Sequence, residues 1–204
     1  MTHALVALVK SIKIAMEKIN NHENISQSRL EKPSSLYKDS FIEAMEEFIN
    51  EESNPDVIPE GQMSKEKVNE IKDNFDNFLL KVHEKENGSN LPDGRVPASL
   101  FWLINKKEYI GRVQIRHKLN ESLSILGGHI GYAIRPTKRK MGYGDKVLEL
   151  GLIEAKKLGL NKVFLTCDDS NIGSYKIIEK NGGILQDKIN INGKLERRYW
   201  IEIK

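Results

Sequence analysis

The sequence has little of several features that would each place it in a particular class of proteins. Its single cysteine, Cys167, cannot form an internal disulfide, which is typical of a reducing compartment, and we expect a cytoplasmic protein. No apolar run approaches the roughly 20 residues of a membrane-spanning helix, so no membrane partner is expected. The formal net charge is only +3, too small to indicate nucleic acid as a partner. The histidines show no metal-ligand spacing, and no metal is expected.

The composition that is present is that of a globular protein of about one domain, with 39% hydrophobic and 30% charged residues. The N-terminus lacks the basic start and the Ala-x-Ala site of a signal peptide. It carries one apolar stripe at helical spacing, formed by Leu5, Leu8, Ile12, Met16 and Ile19. We predict a helical extension over residues 1–27 and a main domain over residues 28–204. The stripe packs on its own domain or, alternatively, contacts a partner such as a second copy in a homodimer.

The main domain begins with helices followed by strands. After the extended stretch "RLEKP", apolar residues recur at helical spacing from Ser35 to about Glu51, and again in a helix that starts at Ser64. The stretches "PASLFWLIN", "EYIGRVQIRHKL" and "GGHIGYAIRP" are rich in β-branched and aromatic residues, separated by short polar turns. They predict three antiparallel strands.

The C-terminal part returns to alternating helices and strands. A helix that ends near Leu158 is followed by "GLNKVFLTCD", a strand whose apolar run indicates burial on both faces. A further helix spans roughly Asn171 to Lys180, and two final strands turn at Asn192-Gly193. The predicted fold class is α+β, with a mixed, mostly antiparallel sheet flanked by helices.

The stretch "RPTKRKMGYGDK" lies between a predicted strand and a predicted helix. Gly142 and Gly144 allow close approach of the backbone. Because the first N–H groups of a helix lack partners, they bind anions together with the helix dipole. The bases around the loop stand against one acid, Asp145; they are Arg135, Lys138, Arg139, Lys140 and Lys146. A multiply charged phosphate is the predicted ligand, and a glycine-rich turn with solvated bases is the alternative.

Two common phosphate motifs do not fit this loop. A dinucleotide fingerprint needs a third glycine where Val147 stands, and a P-loop needs Gly-Lys-Ser/Thr, which is absent. "RKMGYG" instead resembles the Arg/Gln-x-x-Gly-x-Gly/Ala pyrophosphate loop of the GNAT family of N-acetyltransferases. "NIGSYKIIEKNGG" is similar to the second signature of that family. The order of elements from Arg29 to Lys204 also resembles the family, especially a subgroup of bacterial acetyltransferases.

The resemblance implies a GNAT-like acyl-CoA N-acyltransferase fold and acetyl-CoA as co-substrate. It implies that the pyrophosphate is held by the backbone of Arg139, Lys140, Met141, Gly142, Tyr143, Gly144 and Asp145. The pantetheine arm would pair with the strand end formed by Tyr132, Ala133 and Ile134. From the next helix, Asn171 and Ser174 would contact the arm.

The implied reaction is direct transfer of acetyl to a primary amine of a small molecule or peptide. The alternatives are a protein N-terminal or lysine acetyltransferase, and a non-catalytic module that senses acetyl-CoA. The backbone N–H of Tyr132 or Ala133 is the candidate donor to the oxyanion. His129 is the candidate general base, since its side chain titrates near neutral pH. A histidine hydrogen-bonded within the sheet, a chain of waters, and the weaker candidates His117 and Glu108 remain open.

The leaving-group acid departs from the family pattern. Many relatives have a tyrosine where this chain has Ile178, and Tyr175 is three residues too early. Ser174 lies one turn before Ile178 on the same helix face, and we predict that it is catalytic, steadying the sulfur. The alternative is a serine that satisfies the helix start. Cys167 should lie near the sulfur, as an acyl carrier or, alternatively, as a buried structural residue.

Two regions could recognise the acceptor, and they imply opposite substrates. The acidic run "EAMEEFINEES", with the loop over residues 51–63, suits a cationic amine, although charge runs usually form a solvated face. Arg112, Arg116 and His117 suit a carboxylate.

Overall fold

The computed structural model of the protein describes residues 6, 8, 9, 12, 13, 23–51 and 64–204. Short 3-10 turns cover Ser35–Tyr37 and Pro136–Lys138. The helices are α1 (Lys38–Asn50), α2 (Lys65–Asp73), α3 (Phe75–Asn87), α4 (Glu121–Ile125), α5 (Tyr143–Lys157) and α6 (Ile172–Lys180). The strands are β1 (Arg29–Glu31), β2 (Ala98–Asn105), β3 (Glu108–Arg116), β4 (Ile130–Ile134), β5 (Lys162–Asp168), β6 (Ile184–Ile191) and β7 (Lys194–Glu202).

Two antiparallel sheets form the centre of the fold, with strand orders β1-β2-β3-β4 and β5-β7-β6. They meet just before β4, where the backbone N–H of His129 donates to the carbonyl of Phe164 on β5 at 2.7 Å. Among the described strands, β4 pairs only with β3 and β5 only with β7. The two strands therefore share an edge contact without forming a ladder beyond it.

Helices pack on both faces of the sheets. Helices α5 and α6 cover one face, where the core includes Val113, Val147, Leu148, Leu165 and Ile178. Helices α1, α2 and α3 cover the other face, where Phe41 stacks on Trp102 with ring centroids 4.6 Å apart. The predicted antiparallel sheet flanked by helices is confirmed. Within the described residues, no helix has the length and apolar character that crossing a membrane requires.

Two local expectations are corrected. The helix that starts at Ser64 begins as predicted, with Ser64 Oγ accepting from the N–H of Lys67 at 3.2 Å. It is not one helix, because Asn74 leaves the helical conformation (φ −131°, ψ 57°) and separates α2 from α3. The bend lets Phe75 and Phe78 both reach Phe41. Helix α4 was not predicted, since five residues are too few to show a period.

The N-terminal extension is described only in part. Leu8 and Ile12 are exposed, and the other residues of the predicted stripe lie outside the described residues, as does the predicted loop beyond Glu51. Residues 23–26 are helical, and Ile25 packs against the core under α5. The side chain of Asn105 fixes the end of this segment by donating to the carbonyl of Asn24 and, at 2.9 Å, to Ser28 Oγ.

Candidate active site

The loop over residues 139–144, called the glycine loop below, leads into the start of α5. Gly142 takes a positive φ of 97° and precedes the helix, whose first backbone bond in the described chain runs from Lys146 N–H to Gly142 O at 3.3 Å. The amides of Tyr143, Gly144 and Asp145 have no acceptor among the described residues. Unpaired donors at the positive end of a helix are the arrangement that binds anions in other proteins.

Helix α6 packs directly against this loop. A Cβ on Gly144 would lie 2.4 Å from Cδ1 of Ile177, so glycine permits the close approach of the two helices. Lys180 Nζ lies 2.6 Å from the Asp145 carboxylate and joins the end of α6 to the start of α5. The two motifs singled out in the sequence are therefore in contact with each other.

Most of the bases near the loop are paired with carboxylates, which corrects the expectation of five bases facing one acid. Glu47 lies in the last turn of α1 and Glu51 directly follows that helix, and each pairs with an arginine 88 residues away. Lys140 is exposed, and no ion pair involves it in the described part of the chain. The pairs are Arg135–Glu47 (2.7 Å), Lys138–Glu108 (2.8 Å), Arg139–Glu51 (2.5 Å) and Lys146–Glu149 (3.3 Å).

Three polar side chains meet between β4, β5 and the first turn of α6. The hydroxyl of Tyr132 lies 3.1 Å from Ser174 Oγ and donates to the Ser174 carbonyl at 3.3 Å. The Ser174 hydroxyl is also close enough to the Cys167 thiol to affect its pKa. Asn171 caps α6, its side-chain oxygen accepting from the N–H of Ser174 at 3.0 Å. Tyr132 and Ser174 were both predicted site residues, but sequence reasoning assigned only the backbone of Tyr132 a role.

Burial keeps this cluster protonated at neutral pH. It raises the pKa of the Tyr132 phenol well above its usual range. It also raises the pKa of the Cys167 thiol to about 11. Because the thiolate is the nucleophilic form, these conditions favour the structural role of Cys167 over that of an acyl carrier.

The remaining residues of the β4 end divide between the two faces. Ala133 is buried against the α1 side, and Ile134 against the α5 side, where its carbonyl accepts from Arg139 Nε at 3.1 Å. Ile178 is only 1% exposed within the core. Tyr175 carries the Arg197 guanidinium over its ring at 3.9 Å.

His129 is held by a hydrogen bond between the sheets. Its Nδ1 accepts the backbone N–H of Phe164 at 2.9 Å, so the neutral ring carries its proton on Nε2. Burial, and then the charge of Arg116, lower its pKa. The contact is the one expected of a histidine bonded within the sheet. A catalytic base needs a free lone pair, so the predicted role would require this bond to open.

The buried His129 gives a pH-dependent stability. Since its pKa is lowered in the folded protein, the unfolded chain gains the proton first as pH falls below about 6.5, and stability is lost. We expect the free energy of unfolding to fall by roughly 1 kcal/mol between pH 7.5 and 5.5 through this group. His129→Asn, which retains an acceptor for Phe164, should flatten that slope in urea titrations at constant ionic strength. The exposed His83→Asn is the control; equal slopes for both variants would contradict the assignment.

The other residues considered for acceptor binding have structural contacts. Arg116 donates to the carbonyls of Gly127 and Gly128 at 3.1 and 2.8 Å, and so holds the turn before β4. His117 Nε2 lies 2.9 Å from Ser99 Oγ. Arg112 is buried. In the described part of the chain, no group of three or more His, Cys, Asp or Glu side chains is arranged to hold a metal ion.

Comparison with known proteins identifies the family. The family model described as "Acetyltransferase (GNAT) domain" matches residues 43–184. A search of the curated proteins finds no match. The chain therefore belongs to the GNAT acetyltransferases, and it is an acetyl-CoA-dependent N-acetyltransferase of that family.

Three solved structures illustrate the shared fold. The acetyltransferase (GNAT family) from Bacillus anthracis is 22% identical, with a TM-score of 0.59 over 86% of this chain and 95% of that chain. The Salmonella typhimurium acetyl transferase that modifies the N-terminal serine of ribosomal protein L7/L12 is 11% identical, with a TM-score of 0.60 over 87% and 96%. The microcin C7 self immunity acetyltransferase MccE, in complex with acetyl-CoA and AMP, is 14% identical, with a TM-score of 0.59 over 87% and 93%.

Proposed function

We propose that the protein moves the acetyl group of acetyl-CoA directly to a primary amine of a small molecule or peptide. The observation that carries the proposal is the alignment of two features. The amides of Tyr143, Gly144 and Asp145 at the α5 start, which have no acceptor among the described residues, lie beside α6, where Gly144 faces Ile177. The Tyr132–Ser174 pair lies between the first turn of the same helix and β4. The loop amides would bind the pyrophosphate, and the edge of β4 would bind the pantetheine arm.

The ladder between β3 and β4 supports one oxyanion donor over the other. Arg116 N–H donates to His129 O and Arg135 N–H donates to Ile110 O, and antiparallel bonding alternates along the strand. The N–H of Ala133 is therefore directed to β3, and that of Tyr132 away from it. Tyr132 N–H would donate to the carbonyl oxygen as negative charge develops on it.

The acceptor remains open between the substrate classes of the two relatives, which act on a ribosomal protein and in immunity to microcin C7. A panel of small amines, aminoglycosides and peptides with free N-termini should be scored by CoA release and by mass. Release of CoA with acetyl on a small amine or a peptide supports the proposal. Acetylation of whole proteins alone would favour the protein acetyltransferase. Calorimetric binding of acetyl-CoA with no acetylated product would favour the non-catalytic sensor.

The ion pair between Arg139 and Glu51 should weaken the binding of acetyl-CoA. Both side chains are about one-third exposed (35% and 28%). The Glu51 carboxylate pairs with the Arg139 guanidinium, which could otherwise face the pyrophosphate. We expect Glu51→Gln to tighten acetyl-CoA binding by about two- to fivefold at low salt, the range of a partly exposed ion pair, and less at high salt. Calorimetric Kd values measure this, with the exposed Glu46→Gln as control. Weaker binding by Glu51→Gln would mean that Glu51 positions the loop instead.

A further inference from the structure

The side chain of Tyr132 has a position that its predicted backbone role does not explain. It projects from β4 to the first turn of α6, where its hydroxyl contacts both the carbonyl and the hydroxyl of Ser174 at 3.3 and 3.1 Å. Many relatives carry a tyrosine at the position of Ile178. The side chain of Ile178 is buried and has no polar atom. A phenol is thus present near this position, but it belongs to Tyr132 on β4, and its hydroxyl contacts Ser174.

The hydroxyl of Ser174 also lies near a sulfur atom. Burial is the main influence on the Cys167 thiol and raises its pKa, and the nearby Ser174 hydroxyl acts in the opposite direction. Ser174 has one proton and can direct it to only one acceptor. The Tyr132 phenol also has one proton, which can go to the Ser174 carbonyl at 3.3 Å or to Ser174 Oγ at 3.1 Å. When it goes to Oγ, the proton of the serine is left to point at sulfur.

We propose that the Tyr132 hydroxyl is a positioning group that orients Ser174 Oγ–H toward the leaving sulfur of acetyl-CoA. The inference rests on the proposed acetyl transfer. The phenol acts only through Ser174, and because burial keeps it protonated it is a donor throughout the neutral range.

The chemical step needs no proton from either hydroxyl. The amine nitrogen forms a bond to the thioester carbonyl carbon, and the C–S bond breaks with its electron pair remaining on sulfur. The amine proton passes to water. The CoA thiolate leaves while accepting a hydrogen bond from Ser174, and it takes its proton from solvent afterwards. Tyr132 and Ser174 both end the step protonated.

A double-mutant cycle tests the inference with an amine that the wild-type enzyme acetylates. Tyr132→Phe keeps the half-buried ring and removes only the hydroxyl. We expect it to lower kcat about 3- to 10-fold, the range of one lost hydrogen bond, with KM for acetyl-CoA within twofold of wild type. Ser174→Ala should lower kcat at least as much. The double variant should equal Ser174→Ala, because the phenol then has nothing to orient.

Each other outcome would overturn the proposal. Additive losses in the double variant would show that Tyr132 acts independently of Ser174. A lower KM with unchanged kcat would show that the phenol blocks the arm of the cofactor. Tyr175→Phe, on the same helix as Ser174 but packed on Arg197, is the control and should match wild type, and thermal unfolding checks that all variants fold. A wild-type enzyme that binds acetyl-CoA but acetylates no amine would overturn the proposed function and this inference together, whereas additivity in an active enzyme overturns only the inference.

Discussion

Gly128→Ala is expected to destabilise the protein by about 4 kcal/mol, more than most single substitutions do. Gly128 has a φ of +63°, and a Cβ at this position would lie 2.2 Å from the carbonyl oxygen of Phe164 and 3.1 Å from Cα of Leu165. Those are backbone atoms of a buried strand, so they cannot rotate away as a side chain does. The clash falls beside the His129–Phe164 bond that joins the two sheets, and activity should be lost with stability.

The control separates this clash from backbone strain. Gly94 has a similar φ of +76°, but a Cβ there would meet nothing within 4 Å. Gly94→Ala should therefore cost only about 1 kcal/mol, the penalty of the left-handed conformation for alanine. Urea unfolding of both variants gives the two free energies, and equal losses would contradict the argument. The difference between the two losses measures the cost of the clash between the new Cβ at position 128 and the backbone of β5.

The elements of the fold were predictable where the signal is local. The Asn192-Gly193 turn gives the last hairpin, and Asn171 caps α6 as the helix-opening residue of the family motif should. Ser64 likewise marks the start of α2. In each case the residue type determines the conformation of its own few neighbours, so a single sequence suffices.

The ion pairs around the glycine loop could not be predicted from local sequence. Arg135 and Arg139 stand beside the loop in the sequence, and they were assigned to a phosphate. In the fold they meet Glu47 and Glu51, whose spacing in the sequence was visible but whose partners were not. The pairing depends on how α1 crosses the sheet, which is set by the packing of Phe41 on Trp102 and not by any local pattern.

The Tyr132 side chain was missed for a similar reason. Alternation along a strand predicts which face a residue occupies, but not which helix lies opposite. The contact with Ser174 follows from the close approach of α5 and α6 at Gly144 and Ile177, together with the separation of β4 from β5. Both are properties of the assembled sheets.

Gly142→Ala is expected to weaken acetyl-CoA binding about 30-fold. Gly142 holds a φ of +97° immediately before the amides of Tyr143, Gly144 and Asp145, and alanine at this angle is strained by about 1–3 kcal/mol. The chain relieves a part of that strain by rotating the peptide slightly, which moves the donors away from the expected position of the pyrophosphate. Loss of one hydrogen bond to a charged group is worth about 2 kcal/mol, or about 30-fold in Kd. The side chain near this site, Ile25 with Cδ1 at 3.0 Å from the new Cβ, is flexible enough to move.

The matched control lies at the other end of the same helix. Gly159 has a φ of +83° just beyond α5, and a Cβ there would meet nothing within 4 Å. Gly142→Ala and Gly159→Ala should lose similar stability in urea, because both place alanine in a left-handed conformation. Only Gly142→Ala should lose affinity in calorimetric titration with acetyl-CoA. If the two variants bind it equally well, the pyrophosphate does not lie against the start of α5, and the loop is a structural turn with solvated bases.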